Sequence, residues 1–255
     1  MTDADLTEAE TSDDGLLDGR LRLRQPLTGY RAGSDAVFLA AAVPARPGAH
    51  VLDAGCGVGA VAACLAHRVD RIRVTGIELQ PVLAGLAREN AARNGLGDRI
   101  TVETGDIARP PAAIAAAAFD HVACNPPFYE AGRAQAARDP GKTAAHIEGE
   151  ADLAVWLRFC LARLRPGGTL TVIHRTARLA DLLAGLADRA GDIVVFPLWP
   201  GADRPAKRVL VQATKGGRGP SLLSPGLALH GPDGRYTPAA DNILRHGAAL
   251  PLKPT

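Results

Sequence analysis

The chain of 255 residues is 47% apolar and 22% charged, which describes an ordinary folded domain with enough length for a buried core. Aromatic residues make up only 4%, which favours helices packed on a sheet over an aromatic-rich β-sandwich. No run of about 18 apolar residues indicates a membrane span, and the acidic N-terminus lacks the basic and apolar regions of a secretion signal. The sequence therefore predicts a cytoplasmic protein without a membrane segment.

The N-terminal segment differs in charge from the rest of the chain. Residues 1–18 contain seven acidic residues and no Lys or Arg, so the remainder has 29 basic against 20 acidic residues, a net charge of +9. We expect the first 15 residues to form a disordered acidic tail, whereas the basic remainder suits a polyanionic partner. On charge alone, a basic surface with no partner is the alternative interpretation.

The four cysteines are Cys56, Cys64, Cys124 and Cys160. None of them forms a C-x-x-C pair, so the sequence predicts neither a zinc site nor a disulfide framework. We expect them to be small buried residues, and no metal is predicted.

Residues 16–24 predict a hairpin that turns at Asp18 and Gly19, with Leu21 and Leu23 on one face and arginines on the other. From about residue 49, short apolar runs alternate with segments whose apolar residues recur at three- and four-residue spacing. This alternation indicates βαβ units and a parallel sheet. The expected strands are 49–53, 72–77, 100–103, 119–124 and 169–174, and the expected helices are 58–68, 81–94, 151–165 and 176–190.

The last third of the chain has a different pattern. Gly191 is expected to end the last of these helices, as glycine often does at a helix C-terminus. Residues 193–198 and 208–214 then follow as strands with no long helix between them. Such a pair predicts two antiparallel strands at one edge of the sheet.

The strand that ends at Asp53 runs directly into a glycine-rich loop, which contains Gly55 and Gly57, and then into a helix. Glycines at this place let the backbone approach a ligand at the helix N-terminus. The spacing of Gly55, Gly57 and Ala60 also meets a dinucleotide-binding fingerprint, with Glu78 at the distance of a ribose-binding acid. Two classes of cofactor therefore fit the loop alone.

Asp53 favours S-adenosylmethionine over a dinucleotide. A carboxylate two residues before the first glycine repels a pyrophosphate but accepts a hydrogen bond from an ammonium group. S-adenosylmethionine has an amino acid head and no phosphate. Asp106, which follows the third expected core strand, can accept a hydrogen bond from an adenine amine. The sequence thus predicts S-adenosylmethionine as the cofactor.

The fourth expected core strand ends in Asn125-Pro126-Pro127-Phe128, at the sheet edge where open α/β folds bind ligands. Two successive prolines withhold both N–H donors, so the carbonyl groups there face a ligand as acceptors. The Asn125 and Pro126 carbonyls can accept both hydrogens of a planar amine and aim its lone pair at a methyl donor. Phe128 offers an apolar face on which a base can stack. These four residues are the predicted catalytic segment.

Through segments 51–59, 76–79 and 105–106, the chain resembles the class I (Rossmann-like) S-adenosylmethionine-dependent methyltransferases over roughly residues 28–215. The resemblance implies an α/β fold with a mostly parallel seven-stranded sheet, an antiparallel edge strand, helices on both faces and an additional N-terminal hairpin. The implied organisation is an acidic tail (1–15) and one methyltransferase domain (16–255), which comprises the hairpin and a cofactor-covering helix (16–45), the catalytic core (46–215) and a C-terminal extension (216–255).

In that family the glycine loop lies under the methionine part of the cofactor, the acid at Glu78 binds the ribose, and Asp106 reaches the adenine. The segment before the first core strand folds over the cofactor, although Asp35 also fits a first-turn acid that interacts with the helix dipole. Ser34 is the expected cap of that helix. The cofactor-binding residues implied are Tyr30, Gly33, Asp35, Asp53, Gly55, Gly57, Gly59, Glu78, Leu79, Asp106, Ile107 and Asn125.

Asn-Pro-Pro-Phe occurs in methyltransferases that act on adenine amines of nucleic acids, and also in glutamine methyltransferases that modify release factors. Segments 29–40, 209–216 and 229–236 further resemble the bacterial tRNA adenine-N6 methyltransferases that act beside the anticodon of a valine tRNA. This resemblance implies an RNA partner, tRNA above all, held by the catalytic domain itself. The residues predicted to contact RNA are Arg133, Arg138 and Lys142 in the loop after Phe128, and Lys207, Arg208 and Lys215 near the last strand pair.

Three other functions stay open at this point. A protein glutamine methyltransferase is one alternative, because an amide nitrogen is also planar and has two hydrogens that the Asn125 and Pro126 carbonyls can accept. A nucleic-acid-binding module without chemistry can use the same fold, although an intact glycine loop beside an intact Asn-Pro-Pro-Phe segment argues against it. A nicotinamide oxidoreductase is disfavoured by Asp53. The sequence gives no indication of the oligomeric state.

Overall fold

The computed structural model describes residues 10–29, 31–127 and 153–253. The first two strands, β1 (Thr11–Leu16) and β2 (Leu21–Pro26), form an antiparallel hairpin. Leu21 and Leu23 on β2 are buried in the main core, with 2% and 0% of their surface exposed. The predicted hairpin and its apolar face are therefore confirmed.

Strands and helices alternate after the hairpin, close to the predicted bounds. The strands are β3 (His50–Ala54), β4 (Arg73–Glu78), β5 (Ile100–Thr104), β6 (Phe119–Cys124), β7 (Leu164–Arg175), β8 (Ala190–Gly201), β9 (Arg208–Lys215), β10 (Leu222–Leu223) and β11 (Leu227–His230). The helices are α1 (Ser34–Ala42), α2 (Ala60–Arg68), α3 (Pro81–Arg93), α4 (Ala112–Ala116), α5 (Leu153–Arg163), α6 (Leu179–Leu186) and α7 (Pro238–His246). A 3₁₀ turn over Thr176–Arg178 precedes α6.

The strands from β3 onward form one nine-stranded sheet in the order β10-β8-β9-β7-β6-β3-β4-β5, with β11 also paired to β8. Strand β9 is antiparallel to both β7 and β8. All other strand pairings of this sheet within the described residues are parallel, so the predicted mostly parallel α/β fold is confirmed. The sequence predicts the antiparallel strand at the edge of a seven-stranded sheet. In the structure this strand, β9, is not at the edge, because β8 lies beyond it, and β10 and β11 add further strands on that side.

Helices cover both faces of the sheet. On one face α1, α2, α3 and α7 pack with the hairpin around fully buried side chains such as Phe38. On the other face α4, α5 and α6 pack around side chains such as Leu157. Successive residues of β3 point to opposite faces of the sheet, so Val51 packs in the core that contains Phe38 and Leu52 packs in the core that contains Leu157.

The hairpin is attached to α3 through two asparagines one helical turn apart. Asn90 accepts a hydrogen bond from Arg24 N (2.7 Å) and donates to Arg24 O (3.0 Å). Asn94 makes the same pair of contacts with Arg22, at 2.9 and 2.8 Å. The two amides therefore satisfy the outer backbone edge of β2 as a neighbouring strand would. Asn90 also donates to Val58 O (3.0 Å), which joins the hairpin to the glycine loop.

In the acidic N-terminal segment, residues 11–15, which the sequence assigns to a disordered tail, belong to strand β1, so that part of the prediction is wrong. Within β1, Asp13 lies 3.3 Å from Arg22 and 3.0 Å from Arg93, and these arginines lower the pKa of its carboxyl group. Asp14 forms an ion pair with Arg31. The last acids of the segment therefore hold the hairpin in place, and residues 1–9 lie outside the described part of the chain.

Gly191 lies in β8, so the prediction that it ends a helix is wrong. Helix α6 already ends at Leu186, and Asp188 takes a left-handed conformation (φ +62°) in the turn that follows. A Cβ atom on Gly191 would lie 2.2 Å from the carbonyl oxygen of Gly217. Glycine is required here because another backbone segment passes so closely.

All four cysteines are free and buried, as predicted. Burial raises the pKa of the Cys64 thiol to about 12, so this sulfur is a packing group rather than a nucleophile. Across the three described ranges, no three His, Cys, Asp or Glu side chains are grouped as metal ligands. No helix in those ranges is both long and apolar enough to cross a membrane.

Candidate functional site

The carboxyl ends of the three central strands form a continuous row at one edge of the sheet. Ala54 at the end of β3 pairs with Cys124 of β6 on one side and with Ile77 of β4 on the other. The residues that follow these three are Gly55, Asn125 and Glu78. The sheet register thus brings the predicted cofactor loop, the predicted catalytic segment and the predicted ribose-binding acid together.

The glycine loop is fixed to β4 by its own backbone. The N–H groups of Gly55 and Cys56 both donate to Ile77 O, at 2.9 and 3.0 Å. Gly55, Gly57 and Gly59 all have positive φ angles (+69°, +55° and +83°), a region that other residues rarely adopt. The loop therefore has a defined conformation that depends on glycine at each of these three positions.

The three glycines serve different purposes in the loop. A Cβ atom on Gly57 would have no neighbour within 4 Å, so this backbone borders open space in which a ligand can approach. A Cβ atom on Gly55 would lie 2.5 Å from Cη2 of Trp156 on α5. At Gly59 the nearest neighbour would be Ala87 of α3, at 3.2 Å. Gly55 and Gly59 thus allow close packing inside the protein, and Gly57 fits the predicted approach of a ligand.

The Glu78 carboxylate accepts hydrogen bonds from the glycine loop and from the residue that precedes α3. Its Oε2 accepts a hydrogen bond from Gly57 N and its Oε1 accepts one from Gln80 N, each at 2.9 Å. The side chain is buried, and burial raises the pKa of its carboxyl group while the backbone donors oppose that shift. Three backbone donors, on Gly57, Leu79 and Gln80, act on a carboxylate with about four acceptor sites, so Glu78 can still accept a hydrogen bond from a ribose hydroxyl group, as predicted for this residue.

Asp53 is more deeply buried than its predicted contact with an ammonium group implies. Only 2% of its surface is exposed, and Oδ2 accepts a hydrogen bond from Ala62 N of α2 at 3.2 Å. Burial raises the pKa of the Asp53 carboxyl group to about 7, with a further contribution from the negative charge of Glu78. In the structure this carboxyl group ties the strand before the loop to the helix after it.

Three further predicted cofactor-binding residues follow β4 and β5, and one of them, Asp106, is the predicted adenine contact. Asp106 is partly exposed, and its Oδ1 accepts a hydrogen bond from Ala108 N at 2.8 Å. Leu79 is 44% exposed, whereas Ile107 is buried. An exposed apolar side chain and a carboxylate near each other match the flat apolar face and the amine edge of an adenine.

Asn125, Pro126 and Pro127 follow β6 directly, as predicted. Asn125 is half-buried, Pro126 is buried and Pro127 is exposed, so the segment passes from the core to the surface within three residues. Neither proline has an N–H group, and the carbonyl groups remain as hydrogen-bond acceptors. Phe128 and the loop that carries Arg133, Arg138 and Lys142 lie outside the described residues.

Asp35 occupies the first turn of α1 and forms an ion pair with Arg208 at the start of β9 (2.8 Å). The structure thus pairs a predicted cofactor-binding acid with a predicted RNA-binding cation, which neutralises much of the charge of both. Gly33, rather than the predicted Ser34, occupies the cap position of α1, and Ser34 is the first helical residue. Tyr30 lies outside the described residues.

The predicted RNA-binding residues of β9 are separated by the length of that strand. Arg208 pairs with Arg175 at the carboxyl end of β7, and Lys207 beside it is exposed. Lys215 is the last residue of β9 and lies at the amino-terminal ends of the parallel strands, where its Nζ donates to Leu164 O at 2.6 Å. Lys215 therefore lies away from the end of the sheet that carries Asn125, whereas Lys207 lies at that end.

Two residues that the sequence does not predict as part of the site also shape it. Trp156 packs against the Gly55 backbone and closes the loop from the side of α5. Asn90 connects the hairpin to Val58 O within the loop. An asparagine pair at four-residue spacing on α3 was a visible signal for backbone recognition, whereas nothing in the sequence identified Trp156 as the neighbour of Gly55.

Comparisons with known proteins agree with this geometry. The model of the methyltransferase small domain family matches residues 32–186. A protein of Aeromonas hydrophila named tRNA1(Val) (adenine(37)-N6)-methyltransferase is 32% identical over 210 residues, which cover 81% of this chain and 85% of that protein. A protein of the same name from Dickeya chrysanthemi is 30% identical over 226 residues, covering 84% of this chain and 86% of that protein.

Solved structures share the architecture. A crystal structure from Agrobacterium tumefaciens, described as that of a predicted O-methyltransferase, matches with a TM-score of 0.71 and 26% identity over 85% of this chain and 98% of that one. An S-adenosylmethionine-dependent O-methyltransferase from Thermotoga maritima shares the fold, with a TM-score of 0.54 and 22% identity over 75% of this chain and 68% of that one. The chain belongs to the methyltransferase small domain family and is an S-adenosylmethionine-dependent methyltransferase.

Proposed function

We propose that this enzyme methylates the exocyclic N6 amine of an adenine in tRNA. The proposal is supported by the relatives from Aeromonas hydrophila and Dickeya chrysanthemi, whose names specify adenine 37 of a valine tRNA. By that likeness, the substrate is the adenine at position 37 of a valine tRNA, and the reaction takes place in the cytoplasm. The net charge of the chain after its acidic segment is consistent with a polyanionic substrate.

The observation that carries the proposal is the position of Asn125-Pro126-Pro127 beside the glycine loop. The amide oxygen of Asn125 and the carbonyl oxygen of Pro126 can accept the two N–H hydrogens of an adenine amine. Held by both hydrogens, the amine nitrogen would have its lone pair free to attack the methyl group of a cofactor held by the glycine loop and Glu78. Positioning of this kind supplies most of the rate acceleration when the nucleophile is already neutral.

Three features of the described residues fit S-adenosylmethionine. Gly57 borders open space, Glu78 offers two carboxylate oxygens, and Leu79 presents an exposed apolar side chain. These three features correspond to the methionine, the ribose and the adenine of S-adenosylmethionine. The bound cofactor supplies an electrophilic methyl group on a sulfonium centre.

The step balances without a strong base. A bond forms between the amine nitrogen and the methyl carbon while the carbon–sulfur bond breaks, which leaves S-adenosylhomocysteine. The nitrogen carries a positive charge until it releases one proton, which passes to solvent. Asn125 and Pro126 stabilise this state because their acceptor oxygens interact more strongly with the N–H groups as the charge develops.

The same geometry favours an amine over a hydroxyl group, although the Agrobacterium tumefaciens protein is described as an O-methyltransferase. A hydroxyl group has one hydrogen and leaves one of the two acceptor oxygens unpaired. A hydroxyl oxygen is also a poor nucleophile unless a base removes its proton. Asn125 is no base, so the acceptor pair at this edge is matched to a nitrogen with two hydrogens.

The proposal is tested by incubating the purified enzyme with radiolabelled S-adenosylmethionine and each of three acceptors: unmodified valine tRNA transcript, the same transcript with guanine at position 37, and a bacterial release factor. We expect label in the first transcript only, and digestion followed by mass spectrometry should identify N6-methyladenosine. Label in the release factor, or in a 2′-O-methylated nucleoside, would contradict the proposal. The Asn125→Ala variant is the control for enzyme-dependent transfer.

A further inference from the structure

A pair of stacked aromatic rings stands at the far end of the sheet edge that carries Asn125. The rings of His230 and Tyr236 lie with their centroids 4.7 Å apart and an interplanar angle of 25°. Tyr236 is 45% exposed, one of the largest exposures of an apolar ring or chain among the described residues. One ring is therefore supported by the other and still open to solvent.

The segment between the two rings is a compact turn. His230 and Tyr236 form an antiparallel bridge, and Gly231 N donates to Arg235 O at 2.9 Å. The ring of His230 is fixed from its other side by a contact of Nδ1 with Pro200 O at 2.9 Å. Because backbone and ring are both held, little side-chain freedom is lost when a partner stacks on Tyr236.

The sheet register places this pair on the catalytic edge. His230 lies beside Gly201 at the end of β8, and two strands further along Arg175 lies at the end of β7. From β11 through β8, β9 and β7 to β6 there are four strand spacings of about 4.8 Å, or roughly 19 Å across the sheet. His230 also lies beside Gly201, which is six residues beyond Val195, the residue of β8 level with Cys124, so Tyr236 is farther from Asn125 than that width. A chain that reaches both must extend over several nucleotides.

The charges around the rings are of both signs. The Arg235 side chain is 87% exposed, and Arg175, Arg204 and Lys207 are exposed on the same edge. Asp203 and Asp233 are exposed among them, and Asp18, Asp241 and Arg245 line the recess beside Tyr236, so the surface offers both cations and acids to a partner. Exposed aromatic rings between cations are the usual means of binding single-stranded nucleic acid.

We propose that Tyr236, supported by His230, is a stacking platform for an unpaired base of the substrate RNA, several nucleotides from the adenine that is methylated. This inference rests on the proposed function, since it assigns a second contact of the same substrate. The platform fixes which nucleotide reaches Asn125, because one base on Tyr236 and one at Asn125 define the register of the strand between them.

The test is RNA binding by the full-length enzyme, measured by fluorescence anisotropy with a labelled anticodon stem-loop at fixed salt. Base stacking on an aromatic side chain contributes enough for Tyr236→Leu to weaken binding by roughly 5- to 100-fold, whereas Tyr236→Phe should stay within about twofold. The affinity for S-adenosylmethionine, measured on the same samples by calorimetry, should not change in either variant. Unchanged cofactor affinity also shows that the variant has folded.

A scan of abasic nucleotides through the loop of the RNA gives a second and independent readout. With the wild-type enzyme we expect one abasic position other than the target to lose affinity by a similar factor. With Tyr236→Leu that position should cause no further loss, because the stacking partner is already absent. If every non-target position behaves alike with both proteins, the platform is contradicted even where Tyr236→Leu binds weakly.

The two proposals fail in different ways. An enzyme that methylates no RNA but labels a release factor would overturn the proposed function itself. An enzyme that methylates RNA normally while Tyr236→Leu binds that RNA within twofold of wild type would overturn the platform only. Tighter binding of an acidic peptide than of RNA at the ring pair would assign the surface to a protein partner and contradict the inference.

Discussion

The two halves of the catalytic edge are built differently. On the β3–β4–β5 side, the Glu78 and Asp53 side chains are buried, and these side chains and the glycine loop are held by hydrogen bonds with the backbone. On the β7–β9–β8 side, the candidate residues are exposed cations and one exposed ring, with an ion pair between Asp35 and Arg208 at the boundary. The first half suits a small ligand that must be held in one geometry, and the second suits a large polyanion bound through many weak contacts.

The largest effect should come from the residue at the junction of the halves. Asn125→Ala removes one of the two amine acceptors and should lower the single-turnover rate of methyl transfer by roughly 100- to 1000-fold, a typical loss for one transition-state hydrogen bond. Cofactor affinity should stay within a few-fold of wild type by calorimetry. A parallel loss of cofactor affinity would place Asn125 in the cofactor half instead.

The variants Gly55→Ala and Gly57→Ala distinguish the packing role of Gly55 from the proposed cofactor-binding role of Gly57. Both put a side chain at a positive φ angle, but only the Cβ atom on Gly55 would lie 2.5 Å from Trp156. We expect Gly55→Ala to lower the free energy of unfolding by about 3 kcal/mol. Gly57→Ala should cost about 1 kcal/mol and weaken cofactor binding at least tenfold.

Thermal and chemical unfolding, together with calorimetric titration of S-adenosylmethionine, measure both effects. Equal stability of the two variants would contradict the packing role of Gly55. Undiminished cofactor affinity in Gly57→Ala would contradict the open space above Gly57 as the ligand site.

Asp53 allows a pH test of the buried half. Its pKa is about 7 in the folded protein against 3.8 for an unperturbed aspartate, so between these pH values the folded state binds a proton that the unfolded state has lost. The carboxyl group therefore destabilises the fold fully above pH 7, less as the pH falls from 7 to 4, and not at all below about pH 4. Asp53→Asn lacks this charge and keeps an oxygen that can accept the Ala62 N–H.

We expect Asp53→Asn to be more stable than wild type at pH 8, by up to about 4 kcal/mol, and equally stable near pH 4. Urea unfolding at a series of pH values measures the difference, in which the titration of all other groups cancels. A variant that is less stable than wild type at pH 8 would show that an ionised Asp53 stabilises the fold.

The smallest effect distinguishes two lysines at opposite ends of β9. Lys207→Gln should weaken RNA binding a few-fold and lower the slope of log affinity against log salt by about one, as expected for one phosphate contact. Lys215→Gln should leave RNA affinity unchanged, because Lys215 lies on the other edge and donates to Leu164 O. Equal effects of the two changes would extend the RNA contact over the sheet.

The elements of the buried half were predictable from the sequence because local rules determine them. Alternating apolar residues identified β3 and β4, and a glycine loop between strand and helix located the ligand edge. The register that joins Asn125 to Gly55 follows from the parallel order of the strands. Leu21 and Leu23 likewise identified the inner face of the hairpin.

What the sequence could not supply depends on contacts between distant segments. The neighbour of Gly55 is Trp156, about a hundred residues away in the chain, and no local pattern links them. The position of Lys215 depends on the direction of β9, which is set by its two neighbours in the sheet. Charge alone therefore grouped Lys207 with Lys215, although the fold separates them.

The most direct measurement uses a valine tRNA in which the target adenine is replaced by purine riboside, which lacks only the exocyclic amine. Our account predicts that transfer of the labelled methyl group disappears while the RNA binds within a few-fold of the unmodified transcript. Methyl transfer that continues on this RNA would contradict the account, because the acceptor could then not be the amine for which Asn125 and Pro126 are placed.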